Sequence, residues 1–165
     1  MPPALFRSVP MLAAGLLVAG CSVSTPPSVA IGSRPAEPLA AVRIEPPAPG
    51  DAAAARFTAT LARALPRHGV TVADSSPTIL SVALSQRPAA IGVTAKPGEA
   101  WLSLPRKRGP LDACRAQRVA VRVVARHEAR AEPSFAARGG FDYCALDPAD
   151  LDALAEQFAA ALAQG

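Results

Sequence analysis

The stretch QRVAVRVVARH, residues 117–127, alternates apolar and polar side chains. The apolar positions share one face of an extended chain: Val119, Val121, Val123 and Ala125. The basic positions share the other face: Arg118, Arg122 and Arg126. A period of two residues predicts a β-strand whose apolar face lies on a core and whose basic face lies in solvent.

Similar segments surround this stretch and predict further strands. Residues 135–143 follow closely and are expected to be its neighbour in the sheet, with Gly139 and Gly140 at a bulge or bend. Residues 78–86, TILSVALSQ, predict another strand, to which residues 90–94 are expected to return as a hairpin partner. Short strands are also expected at three other places: residues 41–45, 70–72 and 100–104.

Two segments carry apolar residues at helical spacing. The first covers residues 51–67, with Asp51 as its N-cap, and its apolar face is formed by Phe57, Leu61 and Leu65. The second follows Asp147 as N-cap, with Pro148 in the first helical position. The order of strand, helix, several strands and helix predicts an α+β fold, in which a mostly antiparallel sheet of four to six strands carries two helices on one face.

The beginning of the chain has the pattern of a secretory signal peptide. Arg7 is its only charge, and the apolar run MLAAGLLVAG, residues 11–20, ends directly before Cys21. The run is too short to span a bilayer, which takes about 20 apolar residues. The last four residues, VAGC at 18–21, resemble the lipobox of bacterial lipoproteins.

This resemblance implies a lipid-anchored protein. In lipoproteins the signal peptide is cut before the cysteine, whose thiol carries a lipid and whose new amino group is acylated, with palmitate for example. Ser22 stands where aspartate would be the usual signal for retention in the inner membrane. The resemblance therefore implies an outer-membrane protein that faces the periplasm. The alternative is an ordinary cleaved signal peptide followed by a chance cysteine.

The organisation expected for the whole chain has three parts. Residues 1–20 form the signal peptide, and residues 21–39 form a flexible tether rich in Pro, Ser and Ala that starts at the lipidated Cys21. Residues 40–165 form a single α+β domain. Two cysteines remain in it, Cys114 before one predicted strand and Cys144 after its neighbour. In an oxidising compartment we expect them to form a disulfide, since these strand ends meet in an antiparallel pair.

The sequence contains no recognisable catalytic or metal-binding motif, and we expect a non-enzymatic protein without a cofactor. His68 and His127 are expected to be structural or solvated. Four carboxylates near the C-terminus are candidates for a catalytic acid–base pair: Asp142, Asp147, Asp150 and Asp152. Asp147 and Asp150 are better explained by capping of the second helix, and Asp152 lies on the polar side of that helix.

Arginine is the feature that indicates a binding surface. Arg106, Lys107 and Arg108 form a basic cluster after Trp101, and we group them with the three arginines of residues 117–127 as a candidate surface for an anionic partner or bilayer. The alternative is a solvated sheet face with a tryptophan that closes the core. Nucleic acid is not expected, because the net charge is only +4 and only 4% of residues are aromatic.

The architecture behind the lipobox resembles the auxiliary lipoproteins of ABC-type lipid transporters. The local likeness lies in a helix that ends LARALPRHGVTVADSS and in the following strand TILSVALSQRP. It implies an accessory protein that binds an envelope partner in transport or assembly, but it assigns no functional residue. A carrier of a small apolar ligand or lipid and a cell-envelope hydrolase are the alternatives. The oligomeric state is left open.

Overall fold

The computed structural model describes residues 24–35, 37–94, 101–109, 112 and 114–164. In this part of the chain the strands are β1 (Ser28–Ser33), β2 (Ala41–Ile44), β3 (Thr71–Val72), β4 (Thr78–Pro88), β5 (Val93–Thr94), β6 (Trp101–Ser103), β7 (Gln117–His127) and β8 (Pro133–Tyr143). The helices are α1 (Ala52–Ala64), which continues into a 3₁₀ turn (Leu65–His68), and α2 (Pro148–Ala163). The predicted signal peptide and Cys21 lie outside the described residues.

Six of the strands form one mixed, mostly antiparallel sheet in the order β1-β8-β7-β4-β2-β3. The long strands β4, β7 and β8 pair antiparallel at its centre, and β1 adds antiparallel to β8. On the other side β2 is parallel to both β4 and β3. Strands β5 and β6 form a separate two-stranded sheet. This is an α+β fold, as predicted.

The core lies between one face of the sheet and the two helices. Phe57 of α1 and Phe158 of α2 are fully buried and meet edge to face, with their ring centroids 5.7 Å apart. The apolar face of β7 joins them in the same cluster of buried residues, as its alternation predicts. The side chains of Arg122 and Arg126 on the opposite face are exposed. Both helices therefore cover the same face of the sheet, which leaves the arginine face without a helix.

Both helix starts follow the predicted capping. The Asp51 carboxylate accepts from the amide of Ala54 at 2.9 Å, and the Asp147 carboxylate accepts from the amide of Ala149 at 2.8 Å. The first helix is shorter than predicted, because it ends at Ala64 and Leu65–His68 form a 3₁₀ turn. Pro66 in this turn has no amide hydrogen to donate to an α-helix. Among the described residues, neither helix has the length and apolarity that crossing a bilayer requires.

The predicted tether is wrong for residues 28–33, which form β1. This strand pairs with β8 from Ser28 opposite Gly140 to Ser33 opposite Ala136. Its side chains alternate, and Val29 and Ile31 pack against the core while their neighbours are exposed. The domain therefore begins well before residue 40. Strand β1 is a short edge strand in which only two side chains pack on the core, so its alternation is too weak to be recognised among the surrounding prolines.

Two predicted details of the sheet are also wrong. Strand β5 pairs with β6 and not with β4, whose partners are β2 and β7. Gly139 and Gly140 lie in regular register, and the irregularity between β7 and β8 falls at Ala125 and Arg126. The glycines instead permit close approach. A Cβ on Gly139 would lie 2.6 Å from the carbonyl oxygen of Ser28 and 3.0 Å from the ring of Phe158.

Candidate functional site

The open face of the sheet carries a groove of about 820 Å³ that crosses β1, β8, β7 and β4. Its floor consists of small residues that the strand register places side by side: Ser28, Gly140, Ala120 and Ser85 in one row, with Ala30 and Ala83 in the next. Because these side chains are short, the longer ones around them stand above the floor as walls. We call this feature the arginine groove.

One wall of the arginine groove is a pair of like charges. Arg122 of β7 and Arg138 of β8 lie directly opposite each other in the antiparallel register, and both are exposed. In the part of the chain that the structure describes, neither guanidinium has an ion-pair or hydrogen-bond partner. Like charges in directly opposed positions destabilise a sheet, so this pair adds nothing to the stability of the fold.

The other end of the groove is built on a buried carboxylate. Asp142, whose side chain is 7% exposed, receives two hydrogen bonds from Arg118: Nε to Oδ1 at 2.5 Å and Nη2 to Oδ2 at 2.9 Å. Arg118 also donates through Nη1 to Ser103 Oγ and to the Leu104 carbonyl. These four hydrogen bonds hold the Arg118 side chain in one geometry, since the planar guanidinium binds the carboxylate through two N–H groups.

This pairing fixes the charges at that end. The hydrogen bonds from Arg118 hold the pKa of Asp142 below its usual range, and the same hydrogen bonds raise the pKa of Arg118. Arg87 lies opposite Arg118 in the register, and burial, followed by the charge of Arg118, lowers its pKa. Among the described residues, the charged side chains that line the groove are four arginines and one carboxylate: Arg87, Arg118, Arg122, Arg138 and Asp142.

The structure brings part of the predicted surface together. Arg118 and Arg122 line the arginine groove, whereas Arg126 lies further along the same face, with its Nη2 3.4 Å from Oε1 of Glu45. Arg106, expected in a separate cluster, lies with its Nη1 3.6 Å from Oδ2 of Asp142. Lys107 and Arg108 are exposed beside it. The side chain of Trp101 lies outside the described part of the chain.

Sequence reasoning missed two residues of the groove, Arg87 and Arg138. Arg138 follows the same alternation as Asp142 in β8, so its face was within reach of the pattern. Arg87 stands next to Pro88, where the strand was expected to have ended. The position of each opposite another arginine depends on the register between strands, which sequence alternation alone does not supply.

The remaining candidate groups are not brought together. His127 and Asp142 lie at opposite ends of the long strands. Asp142 pairs with Arg118, and His127 is nine positions further along β7, which is about 30 Å. Asp152 accepts from Arg56 and Thr60, and the bond from Arg56 is the main reason why its pKa is lowered. Among the described residues, no group of three or more His, Cys, Asp or Glu side chains forms a candidate metal site.

The predicted disulfide is present. Cys114 and Cys144 are bonded, with their Cα atoms 5.9 Å apart. Cys144 directly follows Tyr143, and Cys114 lies three residues before Gln117, the partner of Tyr143 in the sheet. The bond therefore closes the end of the β7–β8 ladder beside Asp142, and it ties the loop that precedes β7 to the residues that lead into α2.

Comparison with known proteins shows the fold alone. No protein-family model matches the sequence, and no curated protein matches it. Among solved structures, a single-substitution variant of PelC from Paraburkholderia phytofirmans, described as a dodecamer, is 16% identical with a TM-score of 0.53. PelC itself from the same organism, also a dodecamer, is 15% identical with a TM-score of 0.52. Each match covers 82% of this chain and 96% of the other.

Proposed function

We propose that this protein is a lipid-anchored, non-enzymatic accessory protein of the cell envelope that faces the periplasm and binds an envelope partner through the arginine groove. The observation that carries the proposal is the pair of opposed arginines, Arg122 and Arg138, on a sheet face without a helix. Such a pair weakens the fold, and a partner that supplies negative charge would neutralise it on binding.

The shape of the groove supports an extended ligand. The rows of the floor run across four strands, and neighbouring strands lie about 4.8 Å apart, so the floor is about 14 Å wide. Arg118 and Arg122 are four residues apart on β7, which places their backbones about 13 Å apart along the groove. An acidic peptide segment with carboxylates at two separated points would meet Arg122 and Arg138 at one end. At the other end it would meet Arg87, which lies opposite Arg118 in the register and forms no ion pair with a carboxylate among the described residues. This spacing favours an acidic segment of a partner protein over a single small anion.

The anchor part of the proposal comes from the residues before the described domain. The lipobox resemblance at 18–21 supports a lipid on Cys21, and the disulfide between Cys114 and Cys144 is consistent with export to an oxidising compartment. The outer membrane is the proposed location, because Ser22 lacks the usual retention signal. The partner is then a protein within reach of that membrane.

Self-association is part of the same proposal. Two solved structures of this fold are dodecamers, and strand β1 occupies one edge of the six-stranded sheet. An edge strand offers unpaired amides and carbonyls to a neighbouring copy. We expect the mature protein to form an oligomer in detergent, measured as a molar mass by light scattering. A monomer at all concentrations tested would remove self-association from the proposal.

Replacement of Cys21 tests the anchor. In Cys21→Ser we expect the protein to leave the membrane fraction, because a thioether-linked lipid can no longer form. Intact-mass measurement of the wild-type protein should show acyl chains on the residue at position 21. A wild-type protein that keeps its first 20 residues and has no fatty acid would contradict the anchor.

Charge reversal tests the groove. The double variant Arg122→Glu/Arg138→Glu should lose the partner recovered by crosslinking in envelopes, and should bind a polyglutamate peptide at least about tenfold more weakly. The matched control is Arg34→Glu/Arg130→Glu, which changes the same charge at exposed positions outside the groove. Equal binding by the two double variants would overturn the assignment of the groove as the partner site.

A further inference from the structure

A second basic surface lies where the described chain begins. The amide of Thr25 donates to the carbonyl of Asp142 at 2.9 Å, and the hydroxyl of Thr25 accepts from the amide of Asp142 at 2.8 Å. This residue is therefore fixed to the end of β8. Cys21 precedes Thr25 by four residues, which span no more than about 14 Å even when fully extended.

Asp142 connects this point to the loop after β6. Its Oδ2 atom lies 3.6 Å from Nη1 of Arg106, and the amide of Arg106 donates to the carbonyl of Ala89 at 2.8 Å. The amide of Ala89 in turn donates to the carbonyl of Ala116 at 2.9 Å. Ala89 therefore joins the backbone at 106 to the backbone at 116 through its carbonyl and its amide. This junction lies at the end of the sheet where Thr25 is fixed.

Three exposed basic side chains lie next to this junction. Lys107 and Arg108 come directly after Arg106, and Arg115 comes directly before Ala116. In the described parts of the chain, these three side chains have no carboxylate partner. We call Lys107, Arg108 and Arg115 the basic corner.

We propose that the basic corner docks on the anionic phospholipid headgroups of the bilayer that holds the anchor. The inference rests on the proposed lipidation of Cys21. A connection of at most about 14 Å keeps this corner close to the membrane surface, where the attraction between basic side chains and anionic lipids acts over about one Debye length, roughly 8 Å. Thr25 and Ser28 also line the arginine groove, so one end of the groove opens next to the bilayer.

Vesicle binding by the mature chain without lipid tests the docking separately from the anchor. The protein is residues 21–165 with Cys21→Ser, and the vesicles contain phosphatidylcholine alone or phosphatidylcholine mixed with phosphatidylglycerol. We expect co-sedimentation with the anionic vesicles only, and weaker binding as salt is added. Reversal of two charges, Lys107→Glu/Arg108→Glu, should lower the bound fraction at least about tenfold.

The control Arg34→Glu/Arg130→Glu carries the same change in net charge at the other end of the sheet, beyond β1 and in the turn between β7 and β8. It should still bind to within about twofold of the unreversed protein. Equal loss in both double variants, or equal binding to both kinds of vesicle, would overturn the docking. If Lys107→Glu/Arg108→Glu changed the far-ultraviolet circular dichroism spectrum, and so disturbed folding, the neutral variant Lys107→Gln/Arg108→Gln would be used in its place. That variant should also bind less to the anionic vesicles.

The two proposals fail in different ways. An absence of acyl chains on Cys21 with intact selectivity for anionic vesicles would contradict the anchor and leave the basic corner as a lipid-binding surface. Acyl chains on Cys21 without that selectivity would support the anchor and overturn the docking.

Discussion

The two faces of β7 have the same backbone and opposite roles. On one face Val123 is fully buried in a cluster closed by both helices, and on the other Arg122 is exposed and has an arginine opposite it. Apolar contact gives the first face its stability, whereas at Arg122 and Arg138 the second carries charges that the described part of the fold does not neutralise. The difference indicates that this part of the open face does not serve stability, so substitutions there can test recognition without unfolding the core.

The largest effect is expected on the helix side of the core. Phe158→Ala removes a fully buried ring that packs on Phe57 and on the backbone at Gly139, and it should lower the free energy of unfolding by about 3–5 kcal/mol. Urea denaturation followed by circular dichroism measures this loss. A loss below about 1 kcal/mol would mean that the helix layer does not close the core as described.

Asp142 is the next position, because it is the buried carboxylate of the open face. Asp142→Asn leaves Arg118 without its counter-charge and should lower stability by about 2–4 kcal/mol at neutral pH. Because the folded pKa of this carboxyl is lowered, its contribution is fully present above the unfolded pKa and is lost as pH falls through the folded pKa. The difference between wild type and Asp142→Asn should therefore shrink in acid. A difference that stays constant down to strongly acidic pH would contradict the ion pair.

Adjacent valines provide a matched comparison between the two faces. Val123→Ala should lower the free energy of unfolding by about 2–3 kcal/mol, since its side chain is fully buried. Val124→Ala makes the same chemical change on the half-buried open face and should cost less than about 1 kcal/mol. Chemical denaturation of both variants measures the pair. Equal losses would mean that the open face is covered in the folded protein, for instance by another copy.

The smallest effect is expected at the opposed arginines. Arg122→Ala removes one of two like charges and should raise stability by up to about 0.5 kcal/mol, more at low salt than at high salt. Arg34→Ala, which removes an exposed charge outside the groove, should have no measurable effect. Thermal unfolding in two salt concentrations checks both. Destabilisation by Arg122→Ala would show that this arginine contributes to the fold after all.

Strong local signals account for what the sequence predicts of this fold. The alternation in residues 117–127, the caps at Asp51 and Asp147, and the paired cysteines at adjacent strand ends each act within one segment or between neighbouring segments. The α+β class, the helix face of the sheet and the disulfide follow from them. Strand β1 and two arginines of the groove were not predicted, because their partners lie far away in the chain.

Strand β1 shows why local alternation does not predict a strand whose partner lies far away in the sequence. Its six residues contain a glycine and two serines, and the surrounding prolines suggest a linker. Its pairing depends on β8, more than 100 residues later, where Gly139 and Gly140 allow close packing against Ser28, Phe158 and the backbone of β7. The same holds for the arginine groove. Arg118 and Arg122 were identified from one strand, but Arg87 and Arg138 join them only through the register of three strands.

The pairing of β1 with β8 also sets an order of events during synthesis of the chain. The segment Ser28–Ser33 is made early, but its pairing partner Pro133–Tyr143 is made more than 100 residues later. Contacts of such high sequence separation slow folding. Until that partner is available, the six residues of β1 have no strand to pair with, and their addition to β8 completes this edge of the sheet.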